Sequence, residues 1–258
     1  WIVAATLAMP LLAGLALSVI HLRERPEPAR AMRFALALPE KVTLRGFDLP
    51  AVSPDGQFIA FTGELPGGRD ALWVRPLDSL TAQPLPGTER SFYPFWSPDS
   101  RWVGFFSQGK LKKVALAGGP PQTLCDAPSG VGGAWSQDGA IVFAPRPRGP
   151  LHRVSQAGGE ARPLTALDSS RGETGHRWPR FVPGGRHLIY LALASREPLR
   201  SILLATLEGK EIKPILTTDR AAATVPGYLL FSREATLMAQ PFDANKLEAG
   251  GEPFPIAE

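Results

Sequence analysis

Short apolar runs, each four to six residues long and separated by glycine, proline, serine and aspartate, fill the chain from Met32 onward. Runs of that length, closed by turn residues and rich in aromatic and β-branched side chains, predict strands. The clearest unit is Tyr93 to Phe106, YPFWSPDSRWVGFF. Phe95 and Trp96 end one apolar run, Ser97-Pro98-Asp99-Ser100 supplies a turn with proline preset at its second position, and Trp102 to Phe106 resumes the apolar pattern. A lone hairpin is marginal in water, so the unit needs sister copies to stack against.

The copies are present. Ser53-Pro54-Asp55-Gly56, Ser97-Pro98-Asp99-Ser100, Ser136-Gln137-Asp138-Gly139 and Val182-Pro183-Gly184-Gly185 begin 44, 39 and 46 residues apart, which is the period of a β-propeller blade. A strand ending on an aromatic follows each turn, at Phe61, Phe105, Phe143 and Tyr190, and a fifth copy ends at Phe231 without the turn motif. A third strand is read at 72–77, 111–114, 151–154, 202–205 and 237–242. The fourth, at 83–85, 122–124, 162–164, 213–216 and 253–256, mostly carries proline, which donates no N–H and so belongs on a sheet edge. The expectation is an all-β propeller of about five four-stranded blades, at about 40–85, 86–125, 126–165, 166–216 and 217–258, within a domain spanning 32–258. Five repeats are also compatible with an arc that is part of a larger propeller, with Phe34 to Leu38 as a strand lent to another blade.

The first twenty residues, WIVAATLAMPLLAGLALSVI, break this pattern: they carry no charge, and as a helix they reach across the hydrocarbon core of a bilayer. The expectation is one transmembrane helix at 1–22 and a proline-bearing charged linker at 23–31, with a cleaved signal peptide as the alternative. The start at Trp1, without methionine, predicts a longer parent.

Composition changes the picture little. The 26 Gly and 27 Pro favour many turns over long helices. Lys and Arg number 28 against 24 Asp and Glu, and the arginines are scattered singly, which argues against a nucleic-acid partner. The single cysteine, Cys125, excludes a disulfide within the chain and is read as a buried structural thiol.

The blocks SPDGQFIAF at 53–61, LWVRPLDS at 72–79, YPFWSPDSRWVGFF at 93–106, GKLKKVALAGGPPQTLCDAP at 109–128, GETGHRWPRFVPGGRHLIY at 172–190 and GYLLFSREATLMAQPFD at 227–243 resemble the propeller region of bacterial membrane-anchored serine/threonine protein kinases. That region is built of the WD-like repeats also found in TolB-type propellers. The resemblance implies a kinase domain before Trp1, a single crossing of the inner membrane, and a periplasmic propeller acting as a sensor for a peptide, protein or small envelope ligand, with dimerisation through the parent protein. It equally allows a TolB-like structural scaffold in an envelope complex. The chain departs from the whole-kinase pattern, because Gly175-His-Arg-Trp178 has no aspartate after its arginine and no DFG triplet occurs.

Chemistry is sparse. No GxSxG elbow is present. Gly130-Val-Gly-Gly133 precedes a strand instead of opening a helix and reads as a flexible connection. The four histidines lack metal-ligand spacing, and Asp55, Asp99 and Asp138 recur as turn residues. The chain is therefore read as non-catalytic, without cofactor or metal. Connections from each fourth strand to the next first strand gather at one mouth of a propeller channel. Two of them carry the candidate binding residues Arg90, Tyr93, His176, Arg177 and Trp178, suited to an anionic or aromatic ligand or a peptide.

Overall fold

In the first three blades the inner hairpin is set by its turn serine. The Ser53 amide donates to the Phe58 carbonyl at 2.8 Å and the Phe58 amide donates back to Ser53 Oγ at 2.9 Å; Ser97 and Trp102 repeat both bonds, at 2.9 Å each. Asp55 and Asp99 accept the serine hydroxyl and the backbone amide two residues on, at Gln57 and Arg101. Those bonds hold both carboxyls below the ordinary carboxylate value. Ser136 closes the third turn by bonding the Ala140 amide.

The computed structural model describes residues 38–40, 42–44, 49–65, 69–195, 200–209, 213–218 and 220–257. The helix expected at 1–22, the linker at 23–31 and residues 34–37 of the expected Phe34–Leu38 strand lie outside the described residues. Among the described residues no helix is long and apolar enough to cross a membrane.

The five repeats form five antiparallel sheets. Blade 1 holds β1 (Thr43–Leu44), β2 (Ala51–Val52), β3 (Phe58–Leu65), β4 (Arg69–Pro76) and β5 (Gln83–Pro84), with β1 and β2 both pairing the inner side of β3. Blade 2 is β6 (Ser91–Trp96), β7 (Trp102–Ser107), β8 (Lys110–Ala115) and β9 (Gln122–Asp126); blade 3 is β10 (Gly133–Trp135), β11 (Ala140–Phe143), β12 (His152–Ser155) and β13 (Arg162–Pro163). Blade 4 is β14 (Glu173–Phe181), β15 (His187–Ala194), β16 (Ser201–Thr206) and β17 (Lys213–Thr217). Blade 5 is β18 (Ala222–Val225), β19 (Tyr228–Arg233), β20 (Thr236–Asp243), β21 (Glu248–Ala249) and β22 (Phe254–Ala257). Its fourth strand is split: β21 pairs one end of β20 and β22 the other.

Strands of blades 2, 3 and 4 bury residues on both faces because each of these blades is packed between neighbours. Phe105 and Val103 face blade 1 in a core with Leu72, Val74 and Trp96, while Phe106 faces blade 3 in a core with Phe95, Trp135 and Phe143. Tyr190, Leu188 and Leu151 fill the space between blades 3 and 4, and Leu229, Phe231 and Leu191 that between blades 4 and 5. The innermost strands of successive blades touch in sequence, β2 to β6, β6 to β10, β10 to β14 and β14 to β18.

Gly130-Val-Gly-Gly133 is not a flexible connection. A Cβ on Gly133 would sit 2.5 Å from the Phe95 ring, one on Gly130 2.1 Å from Phe106, and one on Gly132 2.7 Å from Trp178 Cδ1. The segment is pressed between aromatic rings of blades 2 and 4, and glycine is there because nothing larger fits.

Candidate functional site

Four residues before each of the turns at Ser53, Ser97, Ser136 and Val182 stand Leu49, Tyr93, Gly132 and Trp178, and proline follows three of them, at Pro50, Pro94 and Pro179. Proline cannot donate to the neighbouring strand, so the inner ladder must skip there. In blades 2 and 4 it does so by a bulge: pairing jumps from Phe92 to Phe95 in β6 and from Arg177 to Arg180 in β14. Tyr93 and Trp178 take up the slack with left-handed backbones, φ 51° and 50°, and Gly132 has φ 79° at the same place in blade 3. The bulge turns the aromatic side chain out of the ladder. Tyr93 then packs against the core between blades 3 and 4, and Trp178 against both the 3–4 and the 4–5 cores.

The loop between β11 and β12 closes over the inner edge of blade 4. Gly149 bridges Gly175 in parallel, its amide donating to the Thr174 carbonyl at 3.1 Å and its carbonyl accepting from His176 at 2.9 Å. The Arg177 guanidinium clamps the same loop, donating through Nε and Nη2 to the Pro147 carbonyl at 2.9 and 2.8 Å. Burial, together with the charges of Arg148 and Arg200, draws Arg177 below the ordinary guanidinium value, and the Tyr93 phenol opposes them. Arg177 thus ties blade 4 to the blade 3 loop within the field of a tyrosine from blade 2. Beside it, Leu49, Trp178, Arg220, Ala221 and Ser232 line a hollow of about 350 Å³.

The sequence-predicted residues separate into two groups. Tyr93, Arg177 and Trp178 come together at the mouth. Arg90 is exposed immediately before β6, with φ 56° and its amide bonded to the Asp70 carbonyl of blade 1 at 2.8 Å. His176 is different: its side chain is wholly buried. The stretch from Glu173 to Trp178, expected as part of a loop, is the first part of β14, and its pairing with β15 turns His176 inward.

There His176 Nδ1 meets Thr165 Oγ1 at 2.7 Å and Nε2 meets Glu173 Oε2 at 3.0 Å. Thr165 Oγ1 also accepts from the Leu151 amide at 2.9 Å, Glu173 Oε2 from the Asp168 amide at 2.8 Å, and the Tyr190 ring lies 4.7 Å from the imidazole. Leu151 and Thr165 belong to blade 3 and its exit, Glu173 and His176 to blade 4. The relay therefore pins one blade to the next. Desolvation lowers the His176 pKa against the opposing pull of Glu173, so at neutral pH the imidazole is uncharged. A threonine, histidine and glutamate in sequence have the residue types of a nucleophilic triad, but a side chain with no exposure cannot meet a substrate.

Among the described residues no group of three or more His, Cys, Asp or Glu is arranged to hold a metal ion. Sequence reasoning missed Arg148 and Arg200, since single arginines in hairpin loops carry no local signal. It also missed the shared bulge, which aligning the four turns and reading four residues back would have shown.

No protein-family model matches the chain, and no curated protein does. Solved structures do. TolB from Acinetobacter baumannii superposes with a TM-score of 0.60 at 16% identity, over 80% of this chain and 53% of that one. A putative TolB from Agrobacterium tumefaciens gives 0.54 at 18% identity, over 64% of each chain. An acylaminoacyl peptidase gives 0.53 at 18% identity, over 85% of this chain and 39% of that one. The fold is thus a TolB-like β-propeller, and the chain spans a little over half to about two thirds of the TolB structures it matches.

Proposed function

We propose that the chain is a non-catalytic interaction propeller that holds a protein partner at the channel mouth, acting as a structural scaffold in an envelope complex. The observation that carries the reading is the mouth itself: Tyr93 and Trp178 are held by matching bulges, and Arg177, next to Trp178, clamps the Pro147 carbonyl of the blade 3 loop that also carries Arg148. Preorganised aromatics with adjacent guanidinium groups are the residue types that dominate protein interfaces, because they bury large areas at little entropic cost and bond carboxylates in pairs. The TolB-like fold favours this scaffold reading over the alternative of a sensor reporting to a membrane-anchored kinase, for which the support is the resemblance of the sequence blocks. A periplasmic location and a single-pass anchor at residues 1–22 belong to the same proposal.

The test is recovery of partner from envelope extract on the immobilised chain. Arg148→Glu and Tyr93→Ala, both at the mouth, are expected to cut recovery at least about tenfold, the loss of one interface anchor. Unchanged recovery with both variants would sink the assignment of the mouth.

A further inference from the structure

At the other end of the inner strands, the boundary between blades 2 and 3 is built unlike its neighbour. Between blades 1 and 2, Phe58 and Trp96 pack ring to ring with centroids 6.2 Å apart, and Val74 is buried beneath them. The same places between blades 2 and 3 hold Trp102 and Trp135, and the register that puts Val74 opposite Ala60 puts Lys113 opposite Gly104. Lys113 separates the two indoles, its Nζ 4.6 Å from the Trp102 ring centre and 5.9 Å from that of Trp135. It donates to the Gln156 carbonyl of blade 3 at 2.8 Å, while Trp135 Nε1 donates to the Gln156 side-chain oxygen at 3.2 Å.

One part of this is structural. Arg153, in the same register opposite Val142, reaches the Leu207 carbonyl of blade 4 at 3.0 Å, so a cation clasping the next blade recurs. The clasp does not account for the rest. The boundary between blades 3 and 4 has Ala140 and Phe181 at the aromatic places, whereas here two tryptophans flank a groove of about 460 Å³, a size that accepts small ligands. Asp99, Ser136, Gln137 and Gln156 line it as well. Both bonds that hold Asp99 fall on Oδ1, leaving Oδ2 as an acceptor, and Lys113 has donors beyond the one given to Gln156.

From these contacts we propose that the groove between blades 2 and 3 is a saccharide-binding site, in which a pyranose ring lies against the part of the half-buried Trp102 indole that Lys113 leaves exposed, and its hydroxyls bond Asp99 and Lys113. A sugar ring presents an apolar face of C–H groups and, at its edge, hydroxyls that both donate and accept. A partly exposed indole beside a charged acceptor and a charged donor matches both features. A proline-rich peptide also favours aromatic grooves, but its imide nitrogens have no proton to give Asp99. The proposal is independent of the channel-mouth reading.

The experiment titrates the full chain with chitotriose and with cellotriose, following tryptophan fluorescence. Saturable change with either sugar at millimolar concentration or below is expected. It should weaken at least tenfold in Trp102→Ala and in Lys113→Val, the second giving this boundary the residue that fills the same register between blades 1 and 2. Lys113→Val keeps the test valid if Trp102→Ala fails to fold. No change with either trisaccharide up to about 10 mM, far above the range of specific sites, would overturn the proposal. So would a change that both variants retain, or a response to a proline decamer alone.

Discussion

Tyr93 and Trp178 occupy the same place in blades 2 and 4: each precedes a proline, each has a left-handed backbone with φ near 50°, and each sits in a bulge of its innermost strand. A non-glycine residue in that conformation costs on the order of 1 kcal/mol, more for a bulky side chain, and persists only where the surroundings hold it. Proline explains the missing ladder bond, and burial of the ring against neighbouring cores offsets the strain. The same strain is stored at one position in two blades, on the strands that carry the candidate binding residues.

Gly132 fills the third equivalent place, with Trp178 against it. Gly132→Ala is expected to destabilise the fold by roughly 1–3 kcal/mol, since alanine resists φ 79° and its Cβ would come within 2.7 Å of Trp178 Cδ1. Urea denaturation measures this. A midpoint unchanged from that of the unaltered chain would mean the segment yields freely and is the flexible connection its composition suggests.

The burial of His176 makes stability depend on pH in a definite direction. Desolvation holds His176 and His152 below the ordinary value of 6.5. Between that value and the folded ones the unfolded chain binds more protons, so stability falls as pH falls. The melting temperature should drop between about pH 7 and about pH 5, and His176→Gln should flatten the drop more than His152→Gln, because His152 is the less buried. Equal flattening by the two variants would contradict the deeper burial of His176. His176→Ala, which leaves Thr165 and Glu173 without a partner, should cost about 1–3 kcal/mol at neutral pH.

Cys125 offers a simpler check. Burial and the charge of Asp126 push its thiol up to about 11, so it is protonated in the fold at neutral pH. Ellman's reagent should react slowly with the native chain and fast in denaturant. Rapid native labelling would show that the edge of blade 2 opens.

The blades were legible because a period near forty residues and a fixed aromatic phase are local facts; Phe231 marked the fifth blade even where the turn had worn away. Residues whose role depends on a neighbour one or two blades distant were not. Gly130 to Gly133 read as slack because Phe95, Phe106 and Trp178 are far from them in sequence. His176 read as a ligand-facing loop residue because only pairing with β15 turns it inward. Lys113 carried no signal until the register placed it where blade 1 has Val74.

The most direct test of the account places a photoreactive benzoylphenylalanine at one position at a time in the full chain. Arg90, Arg148 and Arg220 are exposed at the mouth, and Arg162 is exposed on the outer edge of blade 3. Irradiation in envelope extract is predicted to give one discrete protein adduct from the mouth positions and none from position 162. Equal adducts from all four positions, or an adduct from position 162 alone, would contradict a partner held at the channel mouth.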